Sequence, residues 1–298
     1  MSYLYFCGAA ISGPWYEYKD WRQMIDREGD FKDIPSTTKA AVRRYFEAWI
    51  RVATGAVLCS YFDDMFPTTE KFATEYNMVE KMLYLFAVTK RNSQTYLVGF
   101  CLMDVGPIAS GLAFNGFDKE TNEPKFDRVQ SAILWNLEFS SSVKELIASW
   151  NMSVPKWLRN YVFLRIASKD KKRGGFMKAA IITFLVSAVW HGFYPGFYIF
   201  FVLLGAVDYV SKLYAQVLSP MVEGMLPGPV IYLISWTWCF YWFSYINIVF
   251  FLLSFENSHK IHSSMNYCGH IFLVISIPLL SGVIASRKKA QVKDTKVE

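Results

Sequence analysis

Charge is scarce in this sequence. Asp, Glu, Lys and Arg make up 19% of the 298 residues, against about 25% in an ordinary soluble domain. With 53% of the chain hydrophobic and 18% aromatic, there is more large apolar surface than a water-facing exterior tolerates, so length permits soluble domains but composition points to a lipid solvent. Cysteines are few and unpatterned. Cys7, Cys59, Cys101, Cys239 and Cys268 are odd in number, scattered and mostly inside apolar stretches; no zinc or redox spacing links them, and they read as small core residues. A basic leader is missing, since Met1 runs straight into Tyr3-Leu4-Tyr5-Phe6, so no signal peptide is read. Strand alternation, heptads and internal repeats are absent as well. Helix is what remains, because backbone polar groups in hydrocarbon must be satisfied within their own segment.

What is present is a series of apolar runs. A crossing helix needs roughly 20 mostly apolar residues, and the clearest runs are 194–210, 228–254 and 269–286. The stretch 176–193 is nearly as good, with Lys178 near its start, and 96–114 carries one charge, Asp104. Residues 45–62 are apolar apart from Glu47 and Arg51, 76–90 reads as an amphipathic or short buried helix, and 1–13 is too short to span. The expectation is an all-α membrane protein with about five to seven spanning or partly buried helices.

The net charge of +6 and the basic isoelectric point do not indicate nucleic acid, because the basic residues sit in short patches between apolar runs. The segment 155–178 holds Lys156, Arg159, Arg165, Lys169, Lys171, Lys172, Arg173 and Lys178 against the single acid Asp170, and the tail after Ser286 is basic too. The positive-inside rule places both in the cytosol. Charge alone leaves two readings of 155–178 open: a topology signal that lies on lipid, or a docking surface for an anionic cosubstrate.

Two stretches can carry chemistry. In Ser187-Ala188-Val189-Trp190-His191-Gly192-Phe193-Tyr194-Pro195-Gly196 a histidine lies between two long apolar runs. Ionisable groups at such depth are costly and usually face a cavity. A buried imidazole stays neutral and able to accept a proton, and Gly192 with Pro195-Gly196 breaks the helix just beyond it. The bland alternative is a packing histidine bonded to a neighbouring helix. His259, His262 and His270 lie near a loop and a helix start, with no carboxylate or cysteine completing a ligand set, so no metal is expected. In the second stretch, Trp150-Asn151-Met152-Ser153-Val154-Pro155-Lys156-Trp157-Leu158-Arg159, Asn151 can donate and accept hydrogen bonds at once. Read without its neighbours, it is a helix cap.

Together the two stretches resemble the membrane-bound O-acyltransferase family, in particular its lysophospholipid acyltransferases. Trp150-Asn151 through Arg165 is similar to the family's Trp-Asn, Trp-Leu and basic aromatic helix, and Ser187 to Gly196 is similar to its Ser-Ala-x-Trp-His-Gly-x-x-Pro-Gly signature, with Phe197 in place of Tyr. Weaker likenesses are Gly111 to Asp118 and Gly8 to Pro14 with Tyr18; the family's Trp-Asp pair is Phe126-Asp127 here, and of its Arg-x-Lys-Tyr-Tyr segment Tyr96 survives.

The resemblance implies a single membrane-embedded acyltransferase domain over 1–298, a multi-helix bundle enclosing a reaction chamber. It also implies that the spanning helices relatives carry before this region are missing. It implies acyl transfer from acyl-CoA, a cosubstrate rather than a cofactor, to the hydroxyl of a lysophospholipid in a multi-pass endoplasmic reticulum protein. His191 would be the general base and Asn151 the group that positions the thioester, with Trp150, Trp190, Gly192, Lys156, Arg159 and Arg165 as substrate-binding positions. The partners are the bilayer, acyl-CoA and the lysophospholipid. The alternatives are another acceptor (a sterol, diacylglycerol or protein), a transporter, or an inactive truncated isoform.

Overall fold

The computed structural model describes residues 3, 6, 13–167, 175–222 and 225–294, with side chains to 287. The expectations for Gly8 to Ile11, for Lys169 to Arg173 and for the last residues of the tail fall outside the described residues. The chain forms two compact units, residues 1–62, 90–138 and 147–183 in one, and 63–89, 139–146 and 184–298 in the other. The helices are α1 (Tyr18–Asp26), α2 (Thr38–Tyr61), α3 (Glu70–Glu75), α4 (Met78–Ala109), α5 (Leu134–Phe139), α6 (Val143–Ser149) and α7 (Ser153–Leu158). They continue with α8 (Leu164–Ala167), α9 (Gly175–His191), α10 (Pro195–Val217), α11 (Ser219–Val222), α12 (Gly228–Leu252), α13 (Phe255–Ser264) and α14 (Cys268–Asp294).

Among the described residues two helical stretches, Pro195–Val222 and Cys268–Arg287, are long and apolar enough to cross a membrane. Fewer segments pass that test than the sequence suggests, and each shortfall has a physical reason. α12 has the length at 25 residues, but Tyr232, Trp236, Trp238, Tyr241, Trp242, Tyr245 and Asn247 hold its hydropathy down. α9 has only 17 residues, about 26 Å of helix, short of the hydrocarbon thickness. The runs 76–90 and 96–114 are parts of one 32-residue helix, α4, which carries Asp104 and Pro107. α2 carries Arg43, Arg44, Glu47 and Arg51.

In the first unit Arg44, Glu47 and Arg51 turn inward, while Arg43 stays exposed. The buried Arg44 guanidinium donates to Asp104 Oδ2 from Nε at 3.1 Å and from Nη2 at 2.5 Å, to Glu47 Oε2 at 2.9 Å and to the Ala132 carbonyl at 2.9 Å. Asp104, 1% exposed, accepts the Ser131 N–H on its other oxygen at 2.8 Å. Two turns along α2, Arg51 donates to Glu138 Oε1 at 2.7 Å, and Lys90 donates to Oε2 of the same carboxylate at 2.6 Å. Buried charge is tolerable only when paired and hydrogen-bonded, and both clusters meet that condition. Beside them Trp21, Met24, Phe31, Leu112, Phe114 and Val129 form an apolar core.

The second unit packs α10 against α12, α13 and α14. Its entry into α4 is a capping box: Asn77 Oδ1 accepts the N–H groups of Val79 and Glu80, and Glu80 returns a bond to the Asn77 N–H at 2.8 Å, satisfying donors that a helix start leaves open. The buried Lys81 ammonium bonds the carbonyls of Ala73 at 2.7 Å and Ser264 at 2.8 Å, tying the ends of α3 and α13. His262, 3% exposed, donates from Nε2 to the Tyr245 carbonyl at 3.3 Å and stacks on the Tyr245 ring.

Two predictions arise here. Asp104→Ala leaves Arg44 buried without its main partner and costs about 3–5 kcal/mol in stability, while adding Arg44→Met recovers much of that; unfolding of the detergent-solubilised protein followed by tryptophan fluorescence checks both. Burial, assisted by the neighbouring His270 imidazole and opposed by the bond to Tyr245, pushes His262 down to about 4 from its ordinary 6.5. Between those two values the unfolded chain binds a proton that the folded chain does not, so stability falls as pH is lowered through that window. The loss from pH 7 to 4 is on the order of 3 kcal/mol, and His262→Gln flattens the profile in the same unfolding assay.

Candidate active site

The Asn151 segment lies in the first unit. It occupies the turn between α6 and α7, with Asn151 itself at φ +48°, a left-handed conformation that Asn accepts more readily than most residues. The turn is held by Met152 N–H to the Ser131 carbonyl at 2.8 Å and Val154 N–H to the Asn151 carbonyl at 3.0 Å. Met152, not Asn151, takes the cap position of α7, and no side chain bonds there. The helix-cap reading of Asn151 is therefore replaced: backbone contacts hold the turn, and capping does not consume the carboxamide. Trp150 packs edge-on against Phe100, centroids 5.3 Å apart, and against Tyr96 at 5.8 Å. In the sequence Tyr96 stands out only as a remnant of a motif; in the structure its ring packs against Trp150.

After α7 the helix widens to a π turn over Arg159–Phe163, a feature that is rare and frequent at functional sites. Lys156, Arg159 and Arg165 are all exposed on this segment. Arg165 lies over the Tyr161 ring at 5.8 Å, and Tyr161 donates to Glu17 Oε2 at 3.1 Å and packs against Trp15 and Trp157. The three cations thus share one short solvent-facing helical segment.

The His191 segment lies in the second unit. α9 ends at His191; Gly192 follows at φ +131°, and α10 begins at Pro195. The break falls where Gly192 and the Pro-Gly pair placed it. His191 Nδ1 is 2.7 Å from the Ser187 carbonyl one turn earlier. A carbonyl can only accept, so Nδ1 carries the proton and Nε2 of the neutral ring is left as the acceptor. The imidazole is half-buried, in edge contact with Trp190 at 4.6 Å and within 4.9 Å, 5.4 Å and 5.6 Å of the Phe201, Phe250 and Phe197 rings. Trp190, by contrast, is 57% exposed. The bond to Ser187 was legible as an i, i+4 spacing inside the motif. Phe250 reaches the ring from α12, and nothing in the local sequence signals it.

Gly196 fixes this arrangement. Its N–H donates to the Leu253 carbonyl at 2.9 Å, and a Cβ built on it would meet the Val249 carbonyl oxygen at 2.3 Å and Leu253 Cα at 2.7 Å. The start of α10 is therefore in direct backbone contact with the end of α12, which brings Phe197 and Phe250 to within 4.8 Å of each other around the imidazole. Among the described residues no group of three or more His, Cys, Asp or Glu side chains could hold a metal ion.

The family profile described as membrane-bound O-acyltransferase matches residues 1–255. The chain is 28% identical over 302 residues to a lysophospholipid acyltransferase of Schizosaccharomyces pombe, covering 96% of this chain and 58% of that protein. It is 25% identical to a lysophospholipid acyltransferase of Saccharomyces cerevisiae, over 96% of this chain and 50% of that protein. It is 30% identical to lysophospholipid acyltransferase 1 of Arabidopsis thaliana, over 96% of this chain and 62% of that protein. The chain thus spans about half to three-fifths of the length of the curated relatives it matches.

Gly196→Ala is expected to push α10 off α12, because both obstructing atoms are backbone and cannot rotate away. Overpacking of this kind costs about 1–3 kcal/mol or more, and the His191 surroundings loosen with it. Tryptophan fluorescence and thermal melts of the purified variant read the change; a melt matching the unsubstituted protein contradicts the close approach.

Proposed function

The chain belongs to the membrane-bound O-acyltransferase family, and on that premise we propose that it transfers an acyl group from acyl-CoA to the free hydroxyl of a lysophospholipid. Three relatives spread across fungi and a plant carry lysophospholipid acyltransferase names, which favours this acceptor class over a sterol, a diacylglycerol or a protein. The observation that carries the reading is the Nδ1 bond of His191 to Ser187, which leaves Nε2 as a proton acceptor at a helix break beside exposed apolar side chains.

In this mechanism Nε2 takes the proton of the acceptor hydroxyl as its oxygen attacks the thioester carbonyl carbon. The Asn151 carboxamide N–H donates to the carbonyl oxygen as it becomes negative. The tetrahedral intermediate collapses with cleavage of the carbon–sulfur bond, and the imidazolium returns its proton to the leaving thiolate. No covalent acyl-enzyme is needed. Trp150, Trp190 and Gly192 shape the path of the substrates, and the exposed Lys156, Arg159 and Arg165 meet the phosphates of coenzyme A. Holding two lipid chains and a thioester in one orientation supplies much of the acceleration. The setting is a multi-pass protein of the endoplasmic reticulum membrane.

Microsomes expressing the chain, supplied with radiolabelled acyl-CoA and lysophospholipid, test the assignment. His191→Ala is expected to lower turnover by about 10²–10⁴-fold and Asn151→Ala by about 10²–10³-fold. Unchanged turnover in the histidine variant overturns the mechanism.

A further inference from the structure

A second site is carried by the first unit alone. Between α2 and the 115–133 loop lies a cavity of about 430 Å³, within the range of small-molecule sites. Its wall is charged: Arg43, Arg44 and Glu47 from α2, Asp104 from α4, Lys125 and Asp127 from the loop, and the exposed Trp135 from the start of α5, with Arg43 Nε bonded to Glu47 at 3.1 Å and Arg44 bonded to Asp104. The loop side is built, not slack. Asn115 N–H bonds the Lys125 carbonyl at 2.9 Å, Lys125 N–H bonds the Gly116 carbonyl at 2.9 Å, and Asp118 N–H bonds the Glu123 carbonyl at 2.8 Å, closing a hairpin. Asn115 Nδ2 then donates to Asp127 Oδ1 at 2.8 Å. These bonds set the backbone from which Lys125 extends and hold the Asp127 carboxylate.

The same helix that lines this cavity presents a long apolar strip beside it. Val42, Phe46, Trp49, Ile50 and Val57 are all exposed, and on a helix they form one stripe adjoining the Arg43 and Glu47 positions. A polar cavity with both signs of charge, continuous with an apolar track, fits an amphipathic molecule whose head carries both signs. We propose that this cavity is a binding site for the headgroup of a zwitterionic phospholipid. The phosphate lies toward Lys125 and Arg43, the ammonium toward Asp127 and the Trp135 face, and the acyl chain along α2. Cationic phosphate recognition and carboxylate-plus-aromatic recognition of ammonium are ordinary chemistry. The lipid has two possible sources: the single-chain acceptor of the transfer reaction, which rests on the function proposed above, or a two-chain phospholipid resident in the bilayer.

The test is binding to the detergent-solubilised full chain carrying His191→Ala, so that no turnover consumes the ligand. The probes are lysophosphatidylcholine, lysophosphatidylglycerol, monoacylglycerol and, in nanodiscs, phosphatidylcholine. Lysophosphatidylcholine is expected to bind best. Lys125→Glu weakens both single-chain phospholipids about tenfold and leaves monoacylglycerol unchanged, while Asp127→Lys reverses the preference toward lysophosphatidylglycerol; Asp127→Asn gives an intermediate preference. Preference for one chain over two identifies the acceptor as the source, and equal binding identifies the resident lipid. Insensitivity of all ligands to both charge reversals overturns the site, as does an equal loss for monoacylglycerol. Acyl transfer by the unsubstituted chain with no such binding pattern sinks the site alone. The pattern without any acyl transfer sinks the proposed reaction alone.

Discussion

The buried cations Arg44 and Lys81 are each spent on definite partners, and those obligations organise the helices around them. Arg44 uses its donors on Asp104, Glu47 and a backbone carbonyl. Lys81 uses its ammonium on two helix ends. His191 uses Nδ1 on Ser187. A chain this poor in charge and rich in aromatics cannot leave buried cations unpaired, so Arg44 and Lys81 become fixed points that align helices. For His191 the same obligation that stabilises the ring also decides which nitrogen is left for chemistry.

Those pairings also bear on how hydropathy reads these helices. Residues 45–62 read as a weak candidate for crossing because of Glu47 and Arg51, yet in α2 both side chains turn toward partners in the first unit and the outward stripe is apolar. Averaging along a helix discards which face a charge occupies, and a helix with its charges turned inward scores as polar. The aromatic residues of α12 depress its score in a related way, although Trp242 and Tyr245 are wholly buried. The helical class and the break after His191 were legible because Gly, Pro and apolar runs act locally. The Arg44–Asp104 pair, 60 residues apart in sequence, and the arrival of Phe250 at His191 were not, because pairing over such distances leaves no periodic mark.

Asn151 shows the opposite case. Its residue type suggests capping, but the backbone places it one residue before the cap, in a left-handed turn. Backbone bonds from Met152 to Ser131 and from Val154 to Asn151 hold the turn.

The account turns on one nitrogen. Solid-state NMR of the chain labelled with ¹⁵N-histidine, with His191→Gln used to assign its signals, reads the protonation of each ring nitrogen directly in lipid at neutral pH. The expected spectrum has the proton on Nδ1 and an unprotonated, pyridine-like Nε2. A proton on Nε2 would contradict the assignment of His191 as the base, because the nitrogen proposed to accept the hydroxyl proton would already be occupied.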